Sequence, residues 1–508
     1  MSKFKIISRA CIFVMSLFLL SCSEVREEPE SPQIANNAQL ERVLFLSAKN
    51  PYQIVSDIEC KIIGDSLIEC WIPYIIEDKV LIPDIDYIGD CLYIDGEVYN
   101  GGCINFNVPV ELIIRNGTDE KKYSMYVHSF TGLSIVWIET ENRVAIESKE
   151  DYLDASFKLQ ENIITRSSGN VLEGDIQIKG RGNSSWDSTN KKSYTIKFKK
   201  STSLFGDEKD KSYVLLANSF DYTMIRNKLA YYMGELSNLD YTPKFRYVEL
   251  FLNGVYNGTY LLGDKLKIGK HRVNVGDDGF LLEIDERAER ENGVFFKVNH
   301  LEQPVNIKDP DLTRGDEDYN YVQDYFNIVE DALYSDSFTD KEKGWRKYLD
   351  ETSCVDWYII NEIFKNYDAL NMYTSCYLNL KRDGKLKMGP LWDFDLTLGN
   401  HPTLNSYEGV NRKFWFLQLF EDSQFAAKVK ERYDYFYDQK DLLFEQINSY
   451  ANYLRLSVVE NDSRWHFLYN KNYYYGWDCY GNYLNEVQNL KQWLNNRMDY
   501  LKKEFCNY

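Results

Sequence analysis

Asp368 and Asp393 are the two acidic residues whose positions favour catalysis or metal binding. Asp368 follows an apolar, helix-like segment, and Asp393 follows the second of two strand-like runs joined by the dipeptide Asp-Gly. That dipeptide is a strong signal for a β-hairpin. Pairing the two strands about it places Asp393 opposite Thr374 or Ser375, a few residues after Asp368. The sequence therefore predicts two carboxylates at one edge of a hairpin, where they could hold a divalent cation beside a general base.

The same two residues also have a purely structural interpretation. Asp368 can be a turn residue at the end of a helix, and Asp393 can be the exposed end of a surface strand. Residue type alone does not separate this interpretation from the catalytic one.

A glycine-rich stretch, GRGNSSW, runs from Gly180 to Trp186 between two predicted strands. Glycines let backbone N–H groups approach an anion, and Arg181 adds a fixed positive fork. Lys192 opens the following strand, from which its ammonium could reach a phosphate. The stretch is therefore a candidate phosphate site built on a turn, although such a stretch can also be an ordinary turn.

The chain changes character twice along its length. Residues 42–130 contain short strand-like runs separated by turn signals, which predicts a β-sandwich resembling an immunoglobulin (Ig) domain. From 131 to about 300 the pattern predicts strands with one helix, YTMIRNKLAYYMGEL, which Asp221 could cap and on which Arg226 and Asn227 are polar. Beyond about 310 the pattern is mostly helical. The fold class predicted is α+β.

The N-terminus has the pattern of a secretory signal. Basic residues precede the apolar run 10–20, and Cys22 stands at the expected cleavage site, as in a bacterial lipoprotein. We therefore predict a signal peptide over 1–21, a lipid on Cys22, a solvated tether over 22–41, and a location in the cell envelope, at the outer membrane or cell surface. The alternative is that Cys22 is an ordinary buried cysteine in a helix.

Charge and cysteine usage narrow the function further. The formal net charge of −19 disfavours nucleic-acid binding, which needs a basic surface. The spacing of cysteines and histidines makes a zinc site improbable. An exported chain can form disulfides, and the pairs Cys60/Cys70 and Cys91/Cys103 each flank a predicted hairpin, but sequence does not fix the pairing.

Several blocks in order resemble the spore-coat protein H (CotH) family of atypical kinases. They are RGNSSWDSTNKKSYTIKF, LLANSFDYTMIRNKLA, YVELFLNGVYNGTYLLGDKLKI, GFLLEID and NEIFKNYDALNMYTSCY with KLKMGPLWDFDLTLGN. The resemblance covers roughly residues 133–500. It implies that 131–508 forms a kinase-like bilobal domain, with a β-rich N-lobe and a mostly helical C-lobe, which uses ATP and Mg²⁺ to phosphorylate Ser or Thr of a protein substrate.

The resemblance also implies roles for individual residues. Asp368 matches the catalytic residue and Asp393 the metal-binding residue, while Arg181 and Lys192 match contacts to the nucleotide phosphates. The sequence departs from ordinary kinases at Asp395, which replaces the glycine of the DFG motif and is either a second metal ligand or structural. The position of the asparagine that holds the second metal in ordinary kinases is left open between Asn371 and Ser375.

Three functions are consistent with the sequence. The leading hypothesis is a lipid-anchored CotH-type kinase. The first alternative is a non-catalytic surface binding or adhesion protein on a kinase-like scaffold, because an exported protein meets little ATP. The second is a glycan-processing enzyme, since paired carboxylates also serve glycosidases.

Overall fold

The structure is a computed structural model that describes residues 38–51, 54, 57–73, 78–161, 171–401, 405–468 and 481–506. The predicted signal peptide, Cys22 and nearly all of the predicted tether lie outside the described residues. Within the described ranges, no helix is both long and apolar enough to cross a membrane.

The chain divides into two compact units. The first takes in Ile58–Cys70 and Lys79–Val127 together with the described residues up to Lys49, and the second contains everything described from His128 onward together with two short earlier segments. All four cysteines that flank the predicted N-terminal hairpins, which are Cys60, Cys70, Cys91 and Cys103, are free thiols.

The first described part of the chain, from residue 39 to residue 130, is built mostly from short strands, as predicted. They are β1 Gln39–Phe45, β2 Ile58–Glu59, β3 Lys61–Ile63, β4 Leu67–Pro73, β5 Val80–Leu81, β6 Asp84–Ile88, β7 Cys91–Ile94, β8 Glu97–Val98, β9 Ile104–Asn105, β10 Val110–Asn116 and β11 Asp119–Phe130. They form sheets in the orders β2-β1-β6, β3-β4-β11-β10-β7-β8 and β5-β9. Alternate residues of β11 are buried, as expected when one face of a strand covers a core. The resemblance to an Ig domain stays a prediction.

The next strands close into a seven-stranded barrel. The elements are β12 Ser134–Thr140, β13 Leu153–Gln160, β14 Val171–Arg181, α1 Ser184–Ser188, β15 Ser193–Thr202, β16 Asp210–Leu216, α2 Arg226–Glu235, β17 Phe245–Leu252 and β18 Val255–Asp264. Their order around the barrel is β12-β13-β14-β15-β16-β18-β17. Only the closing pair, β12 with β17, is parallel. The predicted hairpin turn at Asn253-Gly254 is confirmed, since both residues have the positive φ, 50° and 82°, that such a turn requires.

A five-stranded sheet and three helices follow the barrel. The elements are β19 Phe280–Ile284, β20 Phe295–Phe296, β21 Val305–Asp309, α3 Glu317–Leu333, α4 Glu351–Phe364, α5 Tyr367–Leu370, β22 Cys376–Leu380 and β23 Leu386–Met388. The sheet order is β20-β21-β19-β22-β23. The hairpin predicted about Asp383-Gly384 is confirmed, because Leu380 pairs with Leu386 across that turn.

The last part of the described chain is helical, as predicted. The helices are α6 Trp415–Leu419, α7 Ser423–Asp438, α8 Lys440–Leu454, α9 Ser457–Trp465 and α10 Tyr483–Phe505. Their apolar faces join α4 and the five-stranded sheet in one continuous core, whereas the barrel encloses a core of its own around Val136, Phe157 and Ile178. The mixed α+β fold with a β-rich start is therefore confirmed.

Candidate active site

Asp368 lies in the short helix α5, directly after the buried helix α4. Lys365 ends α4 in the left-handed conformation with φ 51°, which reverses the chain. Asn366 then begins α5, and its side-chain oxygen accepts a hydrogen bond from the Ala369 N–H at 3.3 Å. This N-cap fixes the first turn of α5, on which the Asp368 carboxylate faces a large cavity.

Asp393 lies on the segment that follows β23, beside Ser375. The Ser375 hydroxyl donates a hydrogen bond to Asp393 Oδ2 at 3.1 Å, which confirms that the hairpin brings these two residues together. Asp393 has φ 64°, an uncommon conformation for a residue other than glycine, and such strain is often found at functional sites. The Asn366 amide also donates a hydrogen bond to the Asp393 carbonyl at 3.2 Å. Asn366 therefore contacts both the turn that carries Asp368 and the backbone of Asp393.

Two carboxylates that lie close to Asp393 have raised pKa values. Burial and the negative charge of Asp393 raise the pKa of Asp368 to about 6, and Arg287 opposes the shift. Burial and the charge of Asp393 also raise the pKa of Asp395 well above its ordinary value. Clustered carboxylates with raised pKa values repel each other, and a bound cation would relieve that repulsion.

Helix α2 holds the segment Asp393–Asp395 in place. The Asn227 side-chain oxygen accepts a hydrogen bond from the Phe394 N–H at 2.8 Å. Arg226 Nε donates to the Thr397 carbonyl at 2.8 Å, and Arg226 also pairs with the buried Asp221 at 2.6 Å. Asp221 in turn accepts a hydrogen bond from the Arg226 N–H at 2.8 Å. The predicted cap at Asp221 is wrong, because residues 222–225 are not helical and the N-cap of α2 is Ile225, which makes no side-chain capping hydrogen bond. Arg226 and Asn227 are both buried, so these polar side chains are held inside the fold.

The glycine-rich stretch turns from β14 into α1 and forms part of the cavity wall. A Cβ added at Gly180 would lie 2.2 Å from the Trp186 ring, so only glycine fits at this position. Arg181 lines the cavity, and its guanidinium carbon lies 5.2 Å from the centre of the Trp392 ring. Burial lowers the pKa of Arg181, and the charges of Asp393 and Glu283 act in the opposite direction.

Lys192 is the predicted site residue that the structure does not place with the others. Its ammonium donates to the Trp186 carbonyl and lies 5.2 Å from the centre of that residue's ring. Lys191 is buried and donates to the Thr259 carbonyl at 2.5 Å. Neither lysine is among the described residues that line the cavity.

The cavity has a volume of about 1100 Å³ and a strongly charged wall. It contains Asp368, Asp393, Asp395, Arg181 and Ser375, so the structure brings these five residues together. The wall also contains charged residues that the sequence analysis did not identify, which are Lys149, Glu150, Lys179, Lys265, Lys267, Glu283, Asp285, Arg287, Arg290, Glu291, Lys308, Asp309 and Asp311. The sequence contained one signal for two of these residues. Lys265 and Lys267 lie on either side of Leu266, just after the apolar strand β18, and this alternation places the two lysines on the same side of the chain.

The structure distinguishes between Asn371 and Ser375, the two residues that the sequence left open as ligands of a second metal. Ser375 lines the cavity, whereas Asn371 is buried outside its wall and its amide donates to the Tyr367 carbonyl at 2.7 Å. In the described part of the chain, no three His, Cys, Asp or Glu side chains are grouped closely enough to hold a metal by themselves.

The fold and the site together define an α+β protein whose barrel, hairpin and buried helix enclose one cavity with both acidic and basic walls. A family model described as "CotH kinase protein" matches residues 178–501, which is more than half of the chain. The chain therefore belongs to the CotH kinase protein family, and the resemblance drawn from the sequence blocks is confirmed.

Comparisons with other proteins add little to the family assignment. No curated protein matches the chain. A crystal structure from Bacteroides thetaiotaomicron, described as a "putative glycoside hydrolase", matches 37% of this chain and 53% of its own length at 14% identity. Its TM-score is 0.17, so this match is not a basis for assigning an activity.

Proposed function

We propose that this protein is a CotH-type kinase that transfers the γ-phosphoryl group of ATP to a Ser or Thr hydroxyl of a protein substrate. The observation that carries the proposal is the arrangement of Asp368 and Asp393 on either side of Asn366, facing one cavity. Family membership supports nucleotide use. The geometry supports a base and a metal-binding carboxylate held at a fixed separation.

Asp368 serves as the general base. A carboxylate with a pKa of about 6 is ionised at neutral pH, yet it is more basic than an ordinary aspartate. It can therefore accept the proton of a substrate hydroxyl as that hydroxyl attacks the phosphorus. Asn366 orients the turn that carries this carboxylate, so the base is positioned before substrate binds.

Asp393 and Asp395 would hold Mg²⁺. This ion is usually bound by one or two carboxylates together with waters and substrate phosphate oxygens, so a pair of acids fits it without a third protein ligand. When bound, Mg²⁺ supplies positive charge that stabilises the transferring phosphoryl group. Ser375 holds Asp393 through its hydrogen bond and is the remaining candidate for a role beside the metal.

The kinase-like bilobal arrangement belongs to the same proposal. The barrel, which carries Arg181, would take the part of the β-rich N-lobe, and the mostly helical region beyond about residue 310, from α3 onward, that of the C-lobe. Asp368 and Asp393 lie on the C-lobe side of the cavity in this scheme.

A thermal-shift measurement with ATP, with and without Mg²⁺, tests the proposal. A ligand that binds only the folded state raises its apparent stability, so we expect a Mg²⁺-dependent rise that Asp393→Ala abolishes. Radiolabel from ATP should then pass to a protein substrate or to the chain itself, and Asp368→Asn should remove that transfer while nucleotide binding remains. A wild type that shows no shift with ATP would favour a non-catalytic surface binding or adhesion protein.

The N-terminal features complete the proposal. We propose that Cys22 carries a lipid that anchors the chain in the cell envelope, with residues 42–130 forming an Ig-like spacer. The motivation is the lipoprotein pattern of residues 1–22. Cys22→Ser should release the protein from the membrane fraction, and retention of the variant there would contradict the anchor.

A further inference from the structure

Cys60 and Cys70 lie directly opposite each other in the first compact unit. β3 pairs with β4 in an antiparallel register that places Lys61 opposite Glu69, and the next pair in this register is Cys60 with Cys70. Opposed residues of antiparallel strands have Cα atoms about 4.5 to 5.5 Å apart. A disulfide spans Cα separations of about 4.4 to 6.8 Å, so this pair can be bridged without moving the backbone.

The backbone of Cys60 gives the pair the closer of the two possible spacings. The Cys60 N–H donates a hydrogen bond to the Val43 carbonyl of β1 at 2.9 Å, on the side away from β4. In an antiparallel ladder, a hydrogen-bonded pair exchanges two N–H···O bonds, so Cys60 and Cys70 form a pair of the other kind. The side chains of a non-hydrogen-bonded pair lie closer together, which suits a bond between the two sulfur atoms.

The two thiols interact inside a protein core. Cys60 has 5% of its surface exposed and Cys70 has 0%. Burial, together with a hydrogen bond between the two thiols, raises the pKa of Cys60 well above its ordinary value. The thiolate is the reactive form of cysteine, so both groups are unreactive once the core has closed. A bond between them must therefore form while the chain folds.

The other cysteine pair that flanks a predicted hairpin is arranged differently. Cys91 pairs with Arg115 of β10 on one side of its strand. On the other side β7 pairs with β8, which ends at Val98, and Cys103 lies beyond that strand and is exposed. The structure therefore opposes one cysteine pair and not the other, a distinction that the sequence did not allow.

Cys60 also occupies the point where the chain passes from one sheet to another. β2 belongs to the sheet β2-β1-β6, β3 belongs to the six-stranded sheet, and Cys60 is the single residue between them. The two strands are only 2 and 3 residues long, so each contributes few ladder hydrogen bonds. A covalent bond from Cys60 to β4 would fix this crossing within a unit that is too small to bury a large core.

We propose that Cys60 and Cys70 are oxidised to a cross-strand disulfide while the exported chain folds. The oxidant is a disulfide-bonded donor, which an exported chain meets outside the cytosol. One cysteine thiolate attacks the donor disulfide, forms a mixed disulfide and releases one donor thiol. The second thiolate then attacks the sulfur of the first cysteine, which forms the Cys60–Cys70 bond and releases the second donor thiol. The chain loses two hydrogen atoms, and the donor is reduced to two thiols.

Peptide mapping of the full chain tests the bond directly. The denatured, reduced chain is refolded with reduced and oxidised glutathione, its free thiols are alkylated, and it is digested with trypsin without reduction. Cleavage after Lys61 leaves Cys60 in peptide 50–61 and Cys70 in peptide 62–79, so only a disulfide can join these two peptides. We expect them to be joined and to separate on reduction. The peptide 80–115 contains both Cys91 and Cys103 and should carry two alkylated thiols, which makes it the internal control.

Thermal unfolding tests whether the bond stabilises the fold. The wild type refolded with glutathione should unfold about 5 °C or more above the same chain refolded with dithiothreitol, because a disulfide restricts the unfolded state. Cys60→Ala should have the same midpoint in both conditions, whereas the control Cys91→Ala should keep the difference.

The outcomes are separate from those that test the kinase, since the bond lies in the first unit and not at the cavity. Alkylated thiols at both Cys60 and Cys70 in the refolded wild type, or a bridge from either residue to Cys91 or Cys103, would overturn the proposal. The peptide map needs no variant, so it decides the question even where Cys60→Ala does not fold. Reduced thiols at both positions in the chain isolated from the cell envelope would likewise overturn it.

Discussion

The side-chain amide of Asn366 donates a hydrogen bond to the backbone carbonyl of Asp393 at 3.2 Å. The same side chain caps the helix that carries Asp368. Asn366 therefore sets the separation between the proposed base and the proposed metal ligand. It does so through hydrogen bonds to backbone atoms and not to either carboxylate.

Replacing Asn366 should reduce catalysis more than stability. Asn366→Ala removes the cap on α5, which costs about 1 kcal/mol of unfolding free energy, and it also releases the Asp393 carbonyl. We expect phosphoryl transfer to fall about tenfold or more, because small displacements of reacting groups are costly. Chemical denaturation and radiolabel transfer measure the two effects.

A matched cap elsewhere provides the control for this variant. Asn482 caps α10 by accepting a hydrogen bond from the Asn485 N–H at 2.9 Å, and it does not line the cavity. Asn482→Ala should lose similar stability without losing transfer. Equal losses of transfer in both variants would mean that Asn366 acts only through stability.

The raised pKa of Asp368 predicts a pH dependence with opposite signs for activity and stability. The base must be ionised, so kcat should fall about tenfold per pH unit below a pKa of about 6. The folded-state pKa lies above the unfolded value, so the folded state binds the proton more tightly, and the Asp368 contribution to the unfolding free energy should increase as pH falls from about 6 towards 4. Asp368→Asn should remove this contribution. An activity profile that is flat across about pH 5 to 7 would rule out Asp368 as the base.

Gly180 should tolerate no side chain. A Cβ at this position would lie 2.2 Å from the Trp186 ring, so Gly180→Ala must displace the tryptophan. Overpacking of this kind typically costs about 1–3 kcal/mol, and we expect a lower midpoint in chemical denaturation together with weaker ATP binding, since Arg181 follows directly. Gly269→Ala, whose added Cβ would have no neighbour nearer than 3.7 Å, is the control and should unfold like the wild type. Equal midpoints for the two variants would show that the Trp186 contact does not constrain the turn.

Local sequence signals predicted the elements well where a residue has a direct conformational preference. Asp383-Gly384 and Asn253-Gly254 both predicted hairpins, and both hairpins formed. Both residues of the second dipeptide have positive φ, whereas in the first only Asp383 does. The apolar segment that became α4 predicted a helix ahead of Asp368 through the pattern of its residue types. The aspartates of the candidate site could therefore be found from sequence.

Those local signals did not predict the contacts between segments that are distant in the sequence. Closure of the barrel depends on β12 pairing with β17, and the two strands have no local feature that specifies each other. The direction of a lysine side chain is likewise decided by its surroundings. Lys192 donates a hydrogen bond to the Trp186 carbonyl, while Lys265 makes no hydrogen bond or ion pair with a described residue and lines the cavity.

The sequence by itself determined the family, the mixed α+β class and the aspartates at the hairpin, because these depend on residue type and spacing. Only the tertiary structure decided which cations share a wall with those aspartates and that Asn366 connects Asp368 to Asp393. Those relationships arise when strands and helices far apart in the chain pack together, and packing depends on the whole set of long-range contacts and not on any one stretch.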